Sequence, residues 1–418
     1  MSPRGTDFDV VVVGAGVVGA VMAALLLARK ICAPGRVALL ADHFETAPDP
    51  RADFDLRVFA LSRASERVLK GCGAWDLLPP SRSCAYERMT VWDEEGGPDK
   101  AGSLHFDCAE IGEPNLGHIV EGRALQWQCG AGARAAGAAP LEAALESLTC
   151  NESEVALRLA DGRRLSCRLL IAADGPQSKT RELLGIDTAG HSYQQDALVA
   201  HVHTARPHRN TAWQRFLRTG PLALLPLPDG RSSIVWSTHL DEAARLRALD
   251  PQEFSATLTR ASGEVLGRCE LGTSLASFPL KLQYAADYVR PRAVLIGDAA
   301  HVVHPLAGQG LNLGLLDCAV LAEVFEAAAD AGDIGELRLL RRYERRRRSE
   351  NLAAAAALDG LERLFAGSGA LSGALRRTAL RIAERVPGVK NGLARRALGL
   401  NGDVPDWLSR DGPASPRR

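Results

Sequence analysis

The residues best suited to chemistry lie between Gly297 and Asp317, where the chain reads GDAAHVVHPLAGQGLNLGLLD. A short β-rich run ends in Gly297-Asp298, and a glycine-containing segment then begins a predicted helix that continues to about residue 331. A helix start offers free backbone N–H groups and the positive end of the helix dipole, which both favour an anionic ligand. The stretch therefore predicts a site for a phosphorylated ligand, formed by Asp298 and by Gly308, Gln309, Gly310, Leu311 and Asn312.

A second phosphate-binding pattern lies at the N-terminus. The apolar run Phe8–Val13 is followed by Gly14, Gly16 and Gly19 in a GxGxxG loop, and Ala20–Arg29 then reads as a helix of small and apolar residues. In such a loop the first glycine allows the tight turn, the second admits a pyrophosphate, and the third lets helix and strand pack closely. The order of strand, glycine turn and helix predicts an adenosine dinucleotide site.

The acidic residue expected after the second strand is displaced by one position. In dinucleotide-binding units, an acid at the end of that strand bonds the adenosine ribose. The predicted strand Arg36–Ala41 ends in alanine, and Asp42 follows it directly. Asp42 either reaches the ribose hydroxyls or is an acid in a surface turn, and both NAD and FAD fit this half of the ligand.

The presence of two separate loops favours FAD, because one extended ligand would be bound at both ends. The first loop would bind its ADP half, and the segment from Asp298 to Asn312 would bind its redox half. If Asp298 bonds the ribityl hydroxyls, the amides from Gly310 to Asn312 can face the pyrimidine edge of a flavin. The helix dipole would then stabilise the negative charge that builds on the reduced ring, and NAD has no equivalent group. Pro305 fixes the intervening turn and is expected near the reactive edge of the flavin.

Three motifs together resemble the class A FAD-dependent aromatic monooxygenases, and most closely the ubiquinone-biosynthesis hydroxylases. They are GAGVVG at 14–19, LLIAADG at 169–175 and the GDAAHVVHPLAGQGLNLGLLD stretch. The similarity extends over nearly the whole chain, and the run HPLAGQGLNLG is its most specific part.

The resemblance implies roles for residues outside the two loops. Arg57 and Arg123 would contact the flavin pyrophosphate or ring, and Asp174, followed by Gly175, would have a structural role beside the pyrophosphate. NAD(P)H would bind transiently at the flavin face as the hydride donor. Gly122 departs from the family pattern, which usually has asparagine at this position.

The elements that must position these motifs predict an α/β protein. We expect a Rossmann-like FAD-binding domain, an interleaved antiparallel β-sheet domain that binds the substrate, and C-terminal helices. The expected FAD-binding domain comprises residues 1–72, 95–190 and 275–333, the substrate domain 73–94 and 191–274, and the helical region 334–418. The apolar wall of the substrate pocket is expected to include Phe216, Leu224 and Pro226.

The implied reaction hydroxylates the aromatic ring of a polyprenyl phenol in ubiquinone biosynthesis and consumes NAD(P)H and dioxygen. Because the flavin carries the chemistry, no side chain is singled out as a catalytic acid or base. The alternatives are a monooxygenase of another aromatic substrate, a prenyl-lipid reductase, and a non-catalytic flavoprotein of a quinone-synthesis assembly. A flavin halogenase is disfavoured because the WxWxIP signature is absent.

The composition predicts a soluble, cytoplasmic globular enzyme. Of the 418 residues, 46% are hydrophobic, and the longest apolar run is too short to span a bilayer. No export signal is visible at the N-terminus. Nine scattered cysteines without a CxxC pair favour reduced thiols, and we predict no metal site. His201 and His203 are expected on one solvated face of a strand, whereas His301 and His304 either pack beside the flavin loop or act directly.

The charge of the chain is unevenly distributed. The formal net charge is zero, but residues 335–418 contain 18 Lys or Arg and 9 Asp or Glu. This basic tail is either a set of solvated helix faces or a contact with an anionic membrane surface or an acidic partner, such as other ubiquinone-biosynthesis proteins. The apolar side of such a membrane contact would contain Leu371, Leu375, Leu380 and Ile382. No nucleic-acid partner is predicted.

Overall fold

The computed structural model describes residues 6–100, 102–304, 308–328, 332–366, 384 and 387–408. The strands, numbered along the chain, are β1 (Phe8–Val13), β2 (Val37–Ala41), β3 (Val58–Ser62), β4 (Ser83–Tyr86), β5 (Arg88–Asp93), β6 (Leu104–Asp107), β7 (Gly117–Glu121), β8 (Ala139–Glu142), β9 (Leu145–Cys150), β10 (Val155–Leu159), β11 (Arg164–Ala172), β12 (Thr188–Thr204), β13 (Thr211–Leu217), β14 (Gly220–Pro226), β15 (Ser232–His239), β16 (Cys269–Leu271), β17 (Ala276–Ala285), β18 (Val289–Arg290), β19 (Ala293–Leu295) and β20 (His301–Val302). The helices are α1 (Val17–Ala28), α2 (Arg63–Gly71), α3 (Cys108–Ile111), α4 (Gly122–Ala135), α5 (Lys179–Leu183), α6 (Leu240–Arg247), α7 (Pro251–Ala261), α8 (Gln309–Glu326), α9 (Leu337–Ala366) and α10 (Pro387–Ala397).

A mostly parallel sheet forms the centre of the first half of the fold. Its strand order is β18-β19-β11-β1-β2-β8, with β9 and β10 added beside β11 as an antiparallel pair. Strand β1 reads FDVVVV, and its β-branched residues from Val10 to Val12 are fully buried between helices and neighbouring strands. The loops after β1, β2, β11 and β19 all leave the carboxyl edge of this sheet, which is where such folds bind ligands.

Glycines allow the first loop to pack tightly against the sheet. Gly14 has φ +106°, and a Cβ at this position would lie 2.2 Å from the carbonyl oxygen of Ala173. A Cβ on Gly19 would lie 1.9 Å from the carbonyl oxygen of Gly14. Both positions therefore require glycine for packing, as the loop pattern predicts.

A larger, mostly antiparallel sheet forms the second half of the fold, with the order β20-β17-β12-β15-β14-β13-β5-β6. One face packs on α6 and α7 through a core that includes Leu198, Trp236 and Phe254. The sheet takes in β6 and β17, which the expected domain boundaries place in the FAD-binding part. These two strands extend the sheet toward the parallel half, so the two halves share chain segments more closely than expected.

The remaining elements connect and cover the two large sheets. Strands β3, β7 and β4 form a small antiparallel sheet, and α9 packs against α8. The prediction of a mixed α/β fold with a Rossmann-like half and an antiparallel half is confirmed. No helix in the described ranges is both long and apolar enough to cross a membrane. The apolar positions predicted for membrane contact, Leu371 to Ile382, lie outside the described residues.

Candidate active site

A cavity of about 850 Å³ lies between the parallel half and the larger antiparallel sheet. One end is lined by the nucleotide-binding loops, including Gly16, Gly175, Asp298 and Gly310. The other end is lined by the open face of the antiparallel sheet, and Ala394, Ala397 and Leu398 of the C-terminal segment line the cavity beside the start of α8. Both predicted parts of the ligand site therefore open into one space, whose volume lies in the range typical of cofactor and substrate pockets.

Three glycines leave the cavity wall open where a cofactor must approach the backbone. A Cβ built on Gly16, Gly175 or Gly310 would meet no atom of the described chain within 4 Å. Gly16 and Gly310 begin α1 and α8, so each opening exposes the N–H groups of a helix start. These two helix starts fit the pyrophosphate and the ring of an FAD.

Asp298 lies in the short turn after β19 and is half-buried in the cavity wall. Burial raises the pKa of its carboxyl group, while the charges of His301, Arg57 and Lys281 oppose this rise. Its side chain forms no hydrogen bond with another described residue, so both carboxylate oxygens can accept hydrogen bonds from a ligand. That property fits the predicted contact with the ribityl hydroxyls of FAD.

A buried ion cluster holds the turn that presents Asp298. Asp317 of α8 accepts hydrogen bonds from the N–H of Gly297 at 3.0 Å and from Arg347 Nε at 2.8 Å, and its Oδ2 lies 2.6 Å from His301 Nε2. Burial alone would raise the pKa of Asp317, but the charges of His301 and Arg347 lower it to about 2. His301 therefore packs behind the flavin loop, which is one of its two predicted roles.

The start of α8 is fixed by the side chain of Asn312. Its Nδ2 donates to the carbonyl oxygens of Ala60 and Gly308, each at 2.8 Å. Its Oδ1 accepts from the N–H of Ser62 at 2.9 Å and from the hydroxyl of Ser65 at 2.6 Å. The side chain of Asn312 therefore has a structural role, and its backbone N–H is the group of this residue that remains for the ligand.

Neighbouring residues complete the helix start. Gly308 has φ +63°, and a Cβ there would lie 2.9 Å from the Cβ of Ala60. Gln309 and Leu311 line the cavity, and Gln309 Nε2 donates to the carbonyl oxygen of Ala397 at 3.3 Å. Pro305, predicted near the reactive edge of the flavin, lies outside the described residues.

Asp174 caps the short helix after β11. It accepts hydrogen bonds from the hydroxyl of Ser178 at 2.5 Å and from the N–H of Thr180 at 2.9 Å. Beside it, Arg181 donates to the carbonyl oxygens of Pro176 at 3.1 Å and Ala299 at 2.9 Å. Arg181 thereby ties the LLIAADG loop to the turn that carries Asp298, a contact that no sequence spacing indicates.

The two predicted arginines occupy different positions. Arg57 lines the cavity, and its guanidinium lies over the ring of Phe59 at 5.0 Å. Arg123 is exposed in the first turn of α4 and lies outside the cavity lining. Asp42 is also exposed, one residue beyond the end of β2.

A close backbone contact explains why position 122 is glycine and not the asparagine usual in the family. Its N–H donates to the carbonyl oxygen of Arg57 at 2.8 Å, and a Cβ at this position would lie 2.8 Å from the same oxygen. The close approach of the two chain segments favours glycine here, because an asparagine would have to push Arg57 away.

The predicted substrate wall needs correction. Leu224 and Pro226 lie on the opposite face of β14, and Leu224 belongs to the core under α6 and α7. Phe216 lies on the same face of β13 as the lining residue Gln214, but it is buried beside Val303 and lies outside the cavity lining. In β14, side chains alternate along the strand, so the positions next to Leu224 and Pro226 form the wall. The lining residues of the sheet include Ala197, Val199, Ala212, Gln214, Pro221, Ala223, Leu225, Val235, Ser237 and Phe278.

The histidines of β12 differ from the expectation of a solvated pair. His203 is exposed, but His201 is fully buried, with Nε2 lying 3.0 Å from the carbonyl oxygen of Asp55. His304 is buried as well, and burial lowers its pKa to about 4. Within the described ranges, no group of three or more His, Cys, Asp or Glu side chains is arranged to hold a metal ion.

Comparisons with known proteins agree with this site. The model of the FAD binding domain family matches residues 131–357. Ubiquinone hydroxylase UbiL of Rhodospirillum rubrum is 37% identical over 410 residues, which cover 97% of this chain and 93% of that protein. Ubiquinone biosynthesis monooxygenase COQ6, mitochondrial, of Homo sapiens is 34% identical over 418 residues, covering 87% of this chain and 86% of that protein.

A solved structure supports the fold independently. The p-nitrophenol 4-monooxygenase PnpA from Pseudomonas putida DLL-E4 matches with a TM-score of 0.72 and 18% identity, covering 96% of this chain and 100% of that one. The predictions of an FAD cofactor and of monooxygenase activity are confirmed by the family match and the relatives. The chain belongs to the class A FAD-dependent monooxygenases, close to the ubiquinone-biosynthesis hydroxylases.

Proposed function

We propose that this protein hydroxylates the aromatic ring of a polyprenyl phenol intermediate in ubiquinone biosynthesis, with NAD(P)H as electron donor and dioxygen as oxygen source. The relatives from Rhodospirillum rubrum and Homo sapiens, a ubiquinone hydroxylase and a ubiquinone biosynthesis monooxygenase, support the assignment to ubiquinone biosynthesis. The high coverage of both chains supports a shared architecture from the first glycine loop to α10.

The observation that carries the proposal is the continuity of the cavity. The space beside Asp298 and Gly310 runs without a wall into the apolar face of the antiparallel sheet. An aromatic ring that enters along this face would meet the ring end of the cofactor. The surrounding apolar side chains would exclude water from the reacting atoms, which favours oxygen transfer to the ring over side reactions with solvent.

The residues of this chain would hold and orient the reactants. Bound FAD supplies the redox chemistry, accepting electrons from NAD(P)H and activating dioxygen for transfer to the ring. Asp298 would accept hydrogen bonds from the ribityl chain, and the helix start at Gly310 would place N–H groups and the positive dipole at the ring edge that gains negative charge. The Asp317 cluster keeps both elements in position.

A prenyl tail suits the apolar part of the cavity beside the start of α8, where Gln309 contacts Ala397. There the lining comes from the small sheet, from β5 and β6, and from the C-terminal segment, and it is almost entirely apolar. It contains Tyr86, Met89, Phe106, Leu116, Ile119, Ala394, Ala397 and Leu398. Burying an isoprenoid chain against such residues stabilises the complex by about 25 cal/mol for each Å² of apolar surface removed from water.

We also propose that the basic C-terminal region contacts an anionic membrane surface, where a prenylated substrate would reside. In the described part of α9, Arg338, Arg341, Arg342 and Arg345 are exposed at helical spacing and form no ion pair with a described residue. Cosedimentation with vesicles containing phosphatidylserine should decrease when Arg338, Arg341, Arg342 and Arg345 are replaced by glutamine. Equal sedimentation of the wild-type protein and this variant would contradict the membrane contact.

The proposed function can be tested by measuring the quinone intermediates that cells accumulate. Cells that lack the protein, and cells that carry the Asp298→Ala variant, should accumulate the same under-hydroxylated prenyl phenol, detected by mass spectrometry. A normal profile in both would contradict the role in ubiquinone biosynthesis and leave a monooxygenase of another aromatic compound. A prenyl-lipid reductase would form its product in the absence of dioxygen, which an anaerobic assay detects.

A further inference from the structure

Two polar side chains lie among the apolar residues that β13, β14 and β15 contribute to the cavity wall. Gln214 lies on β13 and Ser237 on β15, and both line the cavity. Their relative exposures are 7% and 2%. Their nearest neighbours on this face of the sheet are apolar, namely Ala197, Ala212, Pro221, Ala223 and Val235.

The strand register shows that both side chains face the substrate end of the cavity. Gln214 is paired with Ala223, and Ser237 is paired with Ala197, so each polar residue is paired with an alanine. The two residues belong to strands separated by one intervening strand, β14, which corresponds to roughly 10 Å across the sheet. Two anchors at this spacing can contact different parts of one substituted aromatic ring.

Neither side chain forms a hydrogen bond within the described part of the chain. The carboxamide of Gln214 carries a donor and an acceptor, and the hydroxyl of Ser237 can act as either. A polar group that is buried without a partner is costly, so buried polar side chains normally have one. Since both groups face open space in the cavity, the bound ligand is the source of that partner.

We propose that Gln214 and Ser237 are the positioning residues that bind the oxygen substituents of the aromatic substrate, and that they thereby select the ring carbon that faces the flavin. The inference rests on the proposed function and names a property of its substrate. That substrate carries neutral oxygen substituents, such as a phenol hydroxyl or a methoxy group, on the side of the ring that meets the sheet.

The positions of the charged residues in the cavity wall favour a substrate whose ring oxygens are neutral. Among the described lining residues, the cations are Arg57 and Lys281, which lie near Asp298 and influence its pKa. The Lys281 ammonium also donates to Gln283 Oε1 at 2.8 Å. No cation lines the described wall around Gln214 and Ser237. A ring carboxylate held there would lose its hydration without gaining a counter-charge, which disfavours binding.

The test compares holoenzymes that contain Gln214→Met, Ser237→Ala or the control Ser232→Ala. Methionine keeps the approximate size of glutamine but removes its hydrogen bonds. Ser232 is on the same strand as Ser237 and is fully buried, but it lies on the opposite face of the sheet. The assay supplies NAD(P)H, dioxygen and a short-chain prenyl phenol, and it measures KM, the ring position of the product and the yield of hydrogen peroxide.

Loss of one ligand hydrogen bond should raise KM about ten-fold. A ring that is no longer held should also yield more than one hydroxylated isomer. More NAD(P)H should be consumed without hydroxylation, because the two electrons and one proton of its hydride, with a second proton from solvent, then convert dioxygen to hydrogen peroxide. The Ser232→Ala control should retain the wild-type product and coupling. A substrate analogue that lacks the ring oxygens should bind wild-type and Gln214→Met enzymes with equal Kd.

The inference is overturned if Gln214→Met and Ser237→Ala both keep the wild-type KM, a single product and low peroxide yield. Failure of the proposed function would appear differently, because the wild-type enzyme itself would not hydroxylate the prenyl phenol. The same comparison of variants would then be made with whichever phenol the wild-type enzyme hydroxylates.

Discussion

Arg347 in α9 donates through Nε to Asp317 Oδ1 in α8 at 2.8 Å, and both side chains are almost completely buried. Asp317 also accepts a hydrogen bond from Gly297, in the turn that carries Asp298. The helix that follows the nucleotide-binding half is therefore connected to the cofactor site through one ion pair. This relationship predicts that substitutions in α9, far along the chain, affect both stability and cofactor binding.

Removal of Arg347 should be strongly destabilising. An Arg347→Met substitution leaves the carboxylate of Asp317 buried with less compensation, which should lower the free energy of unfolding by about 3 to 5 kcal/mol. Arg346→Met is the matched control, because Arg346 is partly exposed and pairs with Glu323 and Asp403. Its loss should cost about 1 kcal/mol or less. Urea unfolding would measure the free energy of unfolding of both variants. An equal decrease in the two variants would contradict a special role for Arg347.

Asp298→Ala should weaken FAD binding without unfolding the protein. The half-buried carboxylate of Asp298 has no hydrogen-bond partner among the described residues, so its removal costs the apoprotein little. Loss of charge-assisted hydrogen bonds to the cofactor should raise the Kd for FAD about 10- to 100-fold. Titration of the apoprotein by flavin fluorescence would measure this, with Asp287→Ala as a control because Asp287 pairs with Arg290 outside the cavity. An unchanged Kd would exclude Asp298 from the cofactor contact.

Gly16 and Gly19 should respond differently to alanine although they lie in one loop. The methyl group of Gly16→Ala would enter open space, so the melting temperature of the apoprotein should stay within a few degrees of wild type while FAD binding weakens. The methyl group of Gly19→Ala would lie 1.9 Å from the carbonyl oxygen of Gly14, so this variant should unfold at a much lower temperature. Thermal unfolding with and without FAD separates the two effects. A folded Gly16→Ala variant with normal affinity would contradict the predicted pyrophosphate site.

Acid should destabilise the protein through His304. Burial lowers the pKa of this residue to about 4, below its usual value of 6.5. Between these values the unfolded chain binds a proton that the folded chain does not, so stability falls as pH decreases from about 6.5 to about 4. The loss from this residue should be roughly 3 kcal/mol across the window. In a His304→Asn variant, the free energy of unfolding, measured in urea at several pH values, should depend less on pH than in the wild type. An equal pH dependence in both proteins would contradict the role of His304.

The sequence predicts the cofactor half well because its signals are local. The first loop requires a strand, three glycines and a helix within about twenty residues, and each glycine has a steric reason that can be stated from the pattern alone. The Asp298 turn and the α8 start are equally compact. What this pattern cannot show is that the side chain of Asn312 is used for packing, since its partners at Ala60 and Ser62 are about 250 residues away.

The substrate half was harder to predict because the inner sheet strands are buried on both faces. In β14 the odd positions line the cavity and the even positions pack under α6 and α7, yet both sets are apolar. Alternation therefore does not identify the face, and the prediction that Leu224 and Pro226 line the pocket is wrong.

A single turnover with isotopic oxygen tests the central claim most directly. The holoenzyme would be reduced by NAD(P)H without oxygen, mixed with a prenyl phenol, and then exposed to ¹⁸O₂. The account predicts one hydroxylated phenol that carries one ¹⁸O atom on the ring, with the label absent when an aromatic-free prenyl lipid replaces the phenol. A product without the label, or a product that forms before oxygen is admitted, would contradict a flavin monooxygenase acting on this substrate.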